Sequence, residues 1–317
     1  MKRIVIAIAL ALLGCTCAAA YPDKPIRILV GLPSGSLPDT IARVLGARLS
    51  AALGVPVLVE NITGAAGNIA SERLAKAVPD GYTLGVLSQT QIVVNPSLYA
   101  LPFDPQKAFA PISQLTLSAN VLVVNSGVPA KTVSDLVALA KAQPGMLTFA
   151  SGGIGSGTHL AGELFQLAAG IDMRHVPYKG VSAAIPDLLA GRVSLMFSPI
   201  QSVLPWVRDG RLRALAVTSL KRASVLPELP TVAESGFPGF EVTLWSGLVA
   251  PAGTPSEAIR ILHAQTVKAL AAPEVRDRLA VLGIEEMGNS PQEFAAAIKT
   301  ETPKWAKVIG AAGIKAN

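Results

Sequence analysis

The sequence predicts an α/β protein made of two α/β domains with a ligand cleft between them. Three observations carry this. Short apolar runs alternate with segments whose apolar residues recur at helical spacing, the order that yields a parallel sheet with helices on both faces. That alternation lapses into an irregular stretch near residue 100 and restarts near residue 147, so the same grammar occurs twice. Finally, the chain closes in helices that follow a long apolar strand, and covering apolar surface brings such a chain end back to the first domain.

Half of the 317 residues are hydrophobic and 15% are charged, which excludes a disordered chain. Lys2 and Arg3 precede the apolar run 4–13, and Ala18, Ala19 and Ala20 supply a small-residue cleavage site. Residues 1–20 therefore read as a secretory signal peptide, too short to span a bilayer, with the exported mature chain starting at Tyr21. Both cysteines, Cys15 and Cys17, lie in that segment, so cleavage after Ala20 leaves no disulfide, no thiolate nucleophile and no Cys-ligated metal. The alternative is the lipoprotein-like stretch Leu12-Leu13-Gly14-Cys15, which would put a lipid anchor on Cys15.

The net charge of +6 includes Lys2 and Arg3; without them the basic count falls from 27 to 25 against 21 acidic residues. Arg208, Arg211, Arg213, Lys221 and Arg222 form the nearest approach to a cluster, with no nucleic-acid motif. A mild positive potential favours small acidic partners over nucleic acid.

In order, 26–31, 55–61 and 82–88 read as strands, with helices over 39–53 and 68–78 between them. Residues 95–113, punctuated by Pro96, Pro102, Pro105 and Pro111, read as surface loop with short helices at most. A strand over 120–125 leads to a helix over 131–143, closed by Pro144-Gly145. The second series has strands at 147–150, 173–176, 193–197 and 212–218, and helices at 158–169, 183–190 and 202–208; it suggests a second sheet. After a Pro- and Gly-rich loop at 227–239 come a strand at 241–250 and helices at 255–270, 273–282 and 291–311, each with Pro at or near its first turn. The domains then divide as 21–122 with 244–317, and 123–243, joined by crossings near 122 and 244 that favour a hinge.

Loops at strand ends are where open α/β sheets bind ligands. Four converge on the expected cleft: 31–39, 60–68, 88–91 and 151–159. They are rich in Gly, Ser, Thr and Asn, the composition of a site that binds through backbone amides and hydroxyls. Gly64 and Gly67 equally suit a tight turn, and Asp39 suits a helix cap or first-turn acid as well as a ligand ammonium.

Catalytic readings find little support. His159 and Glu163 share a helix face, but HLAGE lacks the second histidine of a zinc protease. There is no G-x-S-x-G elbow, dinucleotide fingerprint or Walker lysine, so no cofactor or metal is expected and noncatalytic binding leads.

The chain resembles the Bug, or TctC-like, solute-binding proteins of bacterial tripartite tricarboxylate transporters. The resemblance covers nearly the whole mature chain and rests on YPDKPIRILVGLPSGSLPD, VPVLVENITGAAGNIA, PDGYTLGVLS, VLVVNSGVPAKTVSDLVALAK, SGGIGSGTHLAGELF, HVPYKG, LRALAVTS, LPTVAESGFPGFE and LVAPAGTPSEAI. It implies a periplasmic-binding-protein-like fold and a receptor, not an enzyme, that hands a small organic acid or amino acid to an integral membrane transporter. A sensor partner is the alternative, and a secreted enzyme the more distant one; the chain is expected to be monomeric.

Carried onto this sequence, the resemblance implies a ligand site from Leu32, Pro33, Ser34, Gly35, Ser36 and Asp39; Asn61, Gly64, Ala66 and Gly67; Ser88 and Thr90; Ser151, Gly153, Ser156, Thr158 and His159; and Ser198 and Gln201. The chain also departs from the family pattern. Many relatives read PFPPGGPTD where GLPSGSLPD stands here, GAGGN where GAAGN stands, and an acidic residue at Ser198. Leu32, Ser34, Ser36 and Pro38 are thus expected to set ligand preference.

Overall fold

The computed structural model describes residues 21–316. The signal-peptide and Cys15 anchor expectations lie outside the described residues. β1 (Ile26–Val30) runs between β2 (Val57–Asn61) and β3 (Thr83–Ser88), parallel to both. Ile26, Ile28, Leu29 and Val30 are fully buried, as a strand covered on both faces requires. The helix Leu37–Leu53 turns Ile41, Leu45 and Leu49 inward and stops at Gly54, whose φ of 72° gives a left-handed cap.

β4 (Phe109–Asn125) ties the molecule together. Over 109–119 it pairs antiparallel with β9 (Thr243–Pro251), and β9 pairs in turn with β3. Over 120–125 it pairs with β7 (Leu195–Pro199) and β8 (Leu212–Val217). β7 continues through β5 (Thr148–Ser151) to β6 (Arg174–Pro177), all three parallel. The path is β2-β1-β3-β9-β4-β7-β5-β6, with β8 and β10 (Ile284–Glu286) also on β4. The second βα series therefore extends the first sheet, because one strand changes partners along its length.

Residues 109–113, expected as loop, and 114–119, for which the pattern suggested no element, belong to β4. Pro111 hides the strand: it sits where the register with β9 shifts, and a bulge tolerates a residue that cannot donate. β10, three residues long, and the π-helical turn Thr90–Val94 were also unforeseen.

The C-terminal helices do return to the first half: Ser256–Leu270 packs on Leu37–Leu53. The last helix, Pro291–Ala311, packs on β4 and the π-helical turn, and also on Gly157–Ala169 in the other half. A Ser290/Glu293 capping box starts it, and its buried Phe294 meets Trp245 edge-on at 5.2 Å.

Candidate functional site

Every parallel strand delivers its carboxyl end to the same place, a cavity of about 410 Å³ walled by both halves. The first half contributes Leu32 after β1, Leu37 and Pro38 at the next helix start, Ala66 after β2, and Ser88, Gln89 and Thr90 at the end of β3. The second half contributes Gly152 and Ile154 to Thr158 after β5, Gly180 and Val181 after β6, and Pro199 and Gln201 after β7. The central strands add Ser118 from β4 and Leu244, Trp245 and Ser246 from β9; Asn95 and Tyr99 complete the lining.

Four helices thus open onto the cavity with their first turns: Leu37–Leu53, Gly157–Ala169, Val181–Leu189 and Ile200–Arg208. First-turn N–H groups have no intrahelical acceptor and carry the positive end of the helix dipole, so together they favour an anion. Among the described residues, no Asp, Glu, Lys, Arg or His lines the cavity.

Of the residues expected at the site, Leu32, Ala66, Ser88, Thr90, Ser156, Thr158 and Gln201 line it. The others stand off the lining. Pro33, Ser34 and Gly35 are exposed, and Ser36 is the helix N-cap, its Oγ buried without a protein partner. Asp39 is buried and bound within the protein: Oδ2 accepts from the Gly35 amide at 2.9 Å and Arg43 Nε at 3.1 Å, and Oδ1 accepts from Asn61 Nδ2 at 2.8 Å. Burial alone would raise its pKa, but Arg43, the Gly35 amide and Asn61 outweigh it and hold the carboxyl at about 2. Asn61 also donates to the Leu32 carbonyl at 3.0 Å, so it shapes the wall from behind.

Gly64 and Gly67 flank a left-handed turn in which Ala65 and Ala66 have φ of 47° and 55°. L-residues pay sterically for that conformation, and such strain gathers at functional loops. The Gly67 carbonyl accepts from Ser71 Oγ and Gln91 Nε2. Ser198 is buried, with Oγ donating to the Pro199 carbonyl.

The other loop has its own support. Ser151 Oγ lies 2.6 Å from His175 Nε2, and the Gly153 amide donates back to Ser151 Oγ. His159 Nδ1 accepts from the Gly155 amide at 3.1 Å, while its Nε2 is 3.3 Å from Glu163. His159 and Glu163 satisfy each other behind the cavity wall and do not line it. Burial, then the neighbouring His159, push His175 down to about 4.

Sequence reasoning missed the central strands' contribution and the carboxylate behind it. Glu301, on the last helix, accepts from Gln89 Nε2 at 2.5 Å, Trp245 Nε1 at 2.9 Å and Trp305 Nε1 at 3.4 Å. Burial raises its carboxyl above the usual range, against the pull of these donors. The one available signal was the polar alternation Thr116, Ser118, Asn120 within an apolar stretch; all three are buried with unpartnered side-chain atoms.

Two lobes on a shared strand, with strand ends and helix starts facing a common cavity, define an extracytoplasmic solute-binding receptor. The chain belongs to the family described as "Tripartite tricarboxylate transporter family receptor", which it matches over residues 41–314. It is 39% identical over 322 residues, all of this chain and 96% of the other, to the "UPF0065 protein in tcbD-tcbE intergenic region" of Pseudomonas sp. (strain P51). It is 36% identical to Protein BugT of Bordetella pertussis, over 94% of this chain and 92% of the other. Among solved structures, R. palustris Rpa4515 with adipate superposes with a TM-score of 0.82 at 34% identity, covering 93% of this chain and 99% of that one. MatC from Rhodopseudomonas palustris with bound malate gives 0.78 at 31% identity, covering 91% and 100%. The family is a receptor family rather than a catalytic one, and a periplasmic location is consistent with it.

Proposed function

We propose that this receptor captures a small carboxylate in the cavity and presents it to the membrane subunits of a tripartite tricarboxylate transporter. The carrying observation is a cavity ringed by the first turns of four helices and, among the described residues, by no charged side chain. The relatives with adipate and malate support the same ligand chemistry. In this reading the residues that contact ligand are the seven expected ones on the lining together with the first-turn amides of the helices. The lobes 21–122 with 244–317, and 123–243, close on the ligand by flexing where β4 changes partners. The chain works as a soluble monomer, exported by residues 1–20 and cut before Tyr21.

The test is thermal unfolding of the processed protein with a panel of organic acids and amino acids. A ligand specific to the native state raises the midpoint, by several degrees when present well above its dissociation constant. If no carboxylate in the panel raises it, the proposal is wrong. Size-exclusion chromatography with light scattering checks the monomer, and mass spectrometry checks the processed N-terminus.

A further inference from the structure

We infer that His159 is the positioning residue of the second-lobe wall of the cavity, and that protonating it releases the Gly155 amide and unlocks that wall. Its consequence for binding rests on the receptor reading above, because Gly155 lines the cavity.

The loops after β1 and β5 share one construction. Gly35 and Gly155 are both left-handed, with φ of 84° and 72°. The serines that follow, Ser36 and Ser156, are helix N-caps with φ of −66° and −65°. Their amides donate to the Pro33 and Gly153 carbonyls, both at 3.1 Å. In each loop the glycine amide donates to the side chain four residues on: Gly35 to Asp39 Oδ2 at 2.9 Å, Gly155 to His159 Nδ1 at 3.1 Å. Each of those acceptors in turn meets an ionisable partner one helical turn further, Arg43 for Asp39 and Glu163 for His159. The order of charge is reversed, acid then base in the first lobe and base then acid in the second.

That reversal makes only one of the two loops sensitive to protons near neutrality. Asp39 keeps its acceptor oxygens down to about pH 2. Histidine is the side chain that changes charge between about pH 5 and 8. To accept from the Gly155 amide, His159 Nδ1 must hold a lone pair, so the ring proton sits on Nε2, facing Glu163 Oε1 at 3.3 Å. A second proton has only Nδ1 to go to, where it meets the Gly155 N–H donor to donor. The Gly155 amide is buried and loses its acceptor, so the loop must turn away to satisfy it.

The groups around the ring permit that step. Glu163 stands at its Nε2 edge to balance an imidazolium. His175, stacked on its face at 3.8 Å, is pushed down to about 4 and adds no charge at higher pH. β5 and β7, on which the His159 helix packs, carry no titratable side chain, and Arg174 on β6 is exposed. The last helix also packs there, but its charged groups are engaged elsewhere or exposed. Glu293 caps its start, Glu301 is bonded to Gln89 and Trp245, Lys304 Nζ donates to the Glu241 carbonyl, and Lys299 and Lys307 are exposed. Among the described residues, then, Glu163 and His175 are the titratable groups that face His159.

The experiment is amide hydrogen exchange by NMR on the processed, ligand-free protein from about pH 8 to about pH 5, each rate corrected for its intrinsic pH dependence. The Gly155 amide is expected to lose at least about tenfold of its protection as pH falls. The midpoint of that loss should equal the midpoint of the His159 ring nitrogens in the same sample. The Gly35 amide, held by Asp39, should keep its protection throughout. His159→Asn places an acceptor oxygen near the position of Nδ1 and gains no proton, so its Gly155 amide should stay protected; His175→Phe should leave the wild-type loss in place. Constant Gly155 protection in the wild type, a midpoint different from that of His159, or a parallel loss at Gly35 overturns the inference. So does a loss that persists in His159→Asn or vanishes in His175→Phe. If His159→Asn does not fold, the wild-type midpoints and the Gly35 amide decide. The readout needs no ligand, so it can fail while the receptor reading stands.

Discussion

The imidazole rings of His159 and His175 stack 3.8 Å apart, centroid to centroid, and 11° from parallel. Phe149 packs against both rings, 4.8 Å from His175 and 6.2 Å from His159, so a proton on His175 would be lodged in a part-buried ring cluster beside Ser151. Its pKa is pushed down from an ordinary 6.5 to about 4. Between those values the unfolded chain takes up a proton that the native protein refuses, so native stability falls as pH drops from 6.5 towards 4. The thermal midpoint is expected to decline across that window, and His175→Phe, which keeps a ring in the stack, should decline less steeply. Equal slopes for the two proteins would show that this histidine is not the titrating group.

Asp39 sets the opposite edge of the acid range. Its carboxyl is held at about 2 against an ordinary 3.8, so the stability it contributes is complete above 3.8 and lost as pH falls towards 2. Asp39→Ala removes the acceptor for Arg43, Asn61 and the Gly35 amide and is expected to cost about 2 kcal/mol at neutral pH. In urea unfolding, the gap between wild type and variant should narrow below pH 3.8. A gap that is constant with pH would mean that the loop draws nothing from the ionised form.

The history of Asp39 shows how far the sequence could be read. Apolar runs and helix spacing located β1 and its helix within two residues, because backbone hydrogen bonding and burial act locally there. The same spacing put Asp39 beside the strand end, but it could not tell a carboxylate aimed at a ligand from one held by Asn61, 22 residues away. Ser118 and Trp245 were hidden for a related reason. They face the cavity only because β4 and β9 pair across more than a hundred residues, and Pro111 disguises the start of β4. Loop composition marks where a ligand site lies; side-chain partners decide which residues of the loop reach it.

Glu301 should matter well beyond its single position. Replacing it with Ala strands the side-chain N–H groups of Gln89, Trp245 and Trp305 in a buried setting, at a cost of about 2–4 kcal/mol. Glu301→Gln retains an acceptor without a charge to bury, and is expected to lose less than half as much. Because Gln89 and Trp245 line the cavity, the Ala variant should also bind any stabilising carboxylate more weakly. Urea unfolding and titration calorimetry on both variants check this, and a fully stable Ala variant would contradict it.

Ala66 carries a methyl group in a left-handed backbone, φ 55°, on the cavity wall. Relief of that strain by Ala66→Gly, offset by the greater freedom of glycine in the unfolded chain, predicts a gain of about 0.5–1 kcal/mol. The thermal midpoint should rise slightly. A fall would mean that packing of the methyl group outweighs the strain.

The two lobes meet where Gly155 of the second faces Leu98 of the first. A Cβ built on Gly155 would come within 2.3 Å of Leu98 Cδ1, and the glycine has φ of +72°. Gly155→Ala therefore brings two penalties: backbone strain of about 1–2 kcal/mol, and a wedge between the lobes. They separate in a double-mutant cycle. Adding Leu98→Ala removes the wedge and leaves the strain, so the lowered midpoint should persist. If lobe closure carries ligand affinity, the single Gly155→Ala variant should bind a stabilising carboxylate about tenfold more weakly, and the double variant should recover most of that loss. Equal affinities in the two variants would mean that this contact opposes no motion that binding needs.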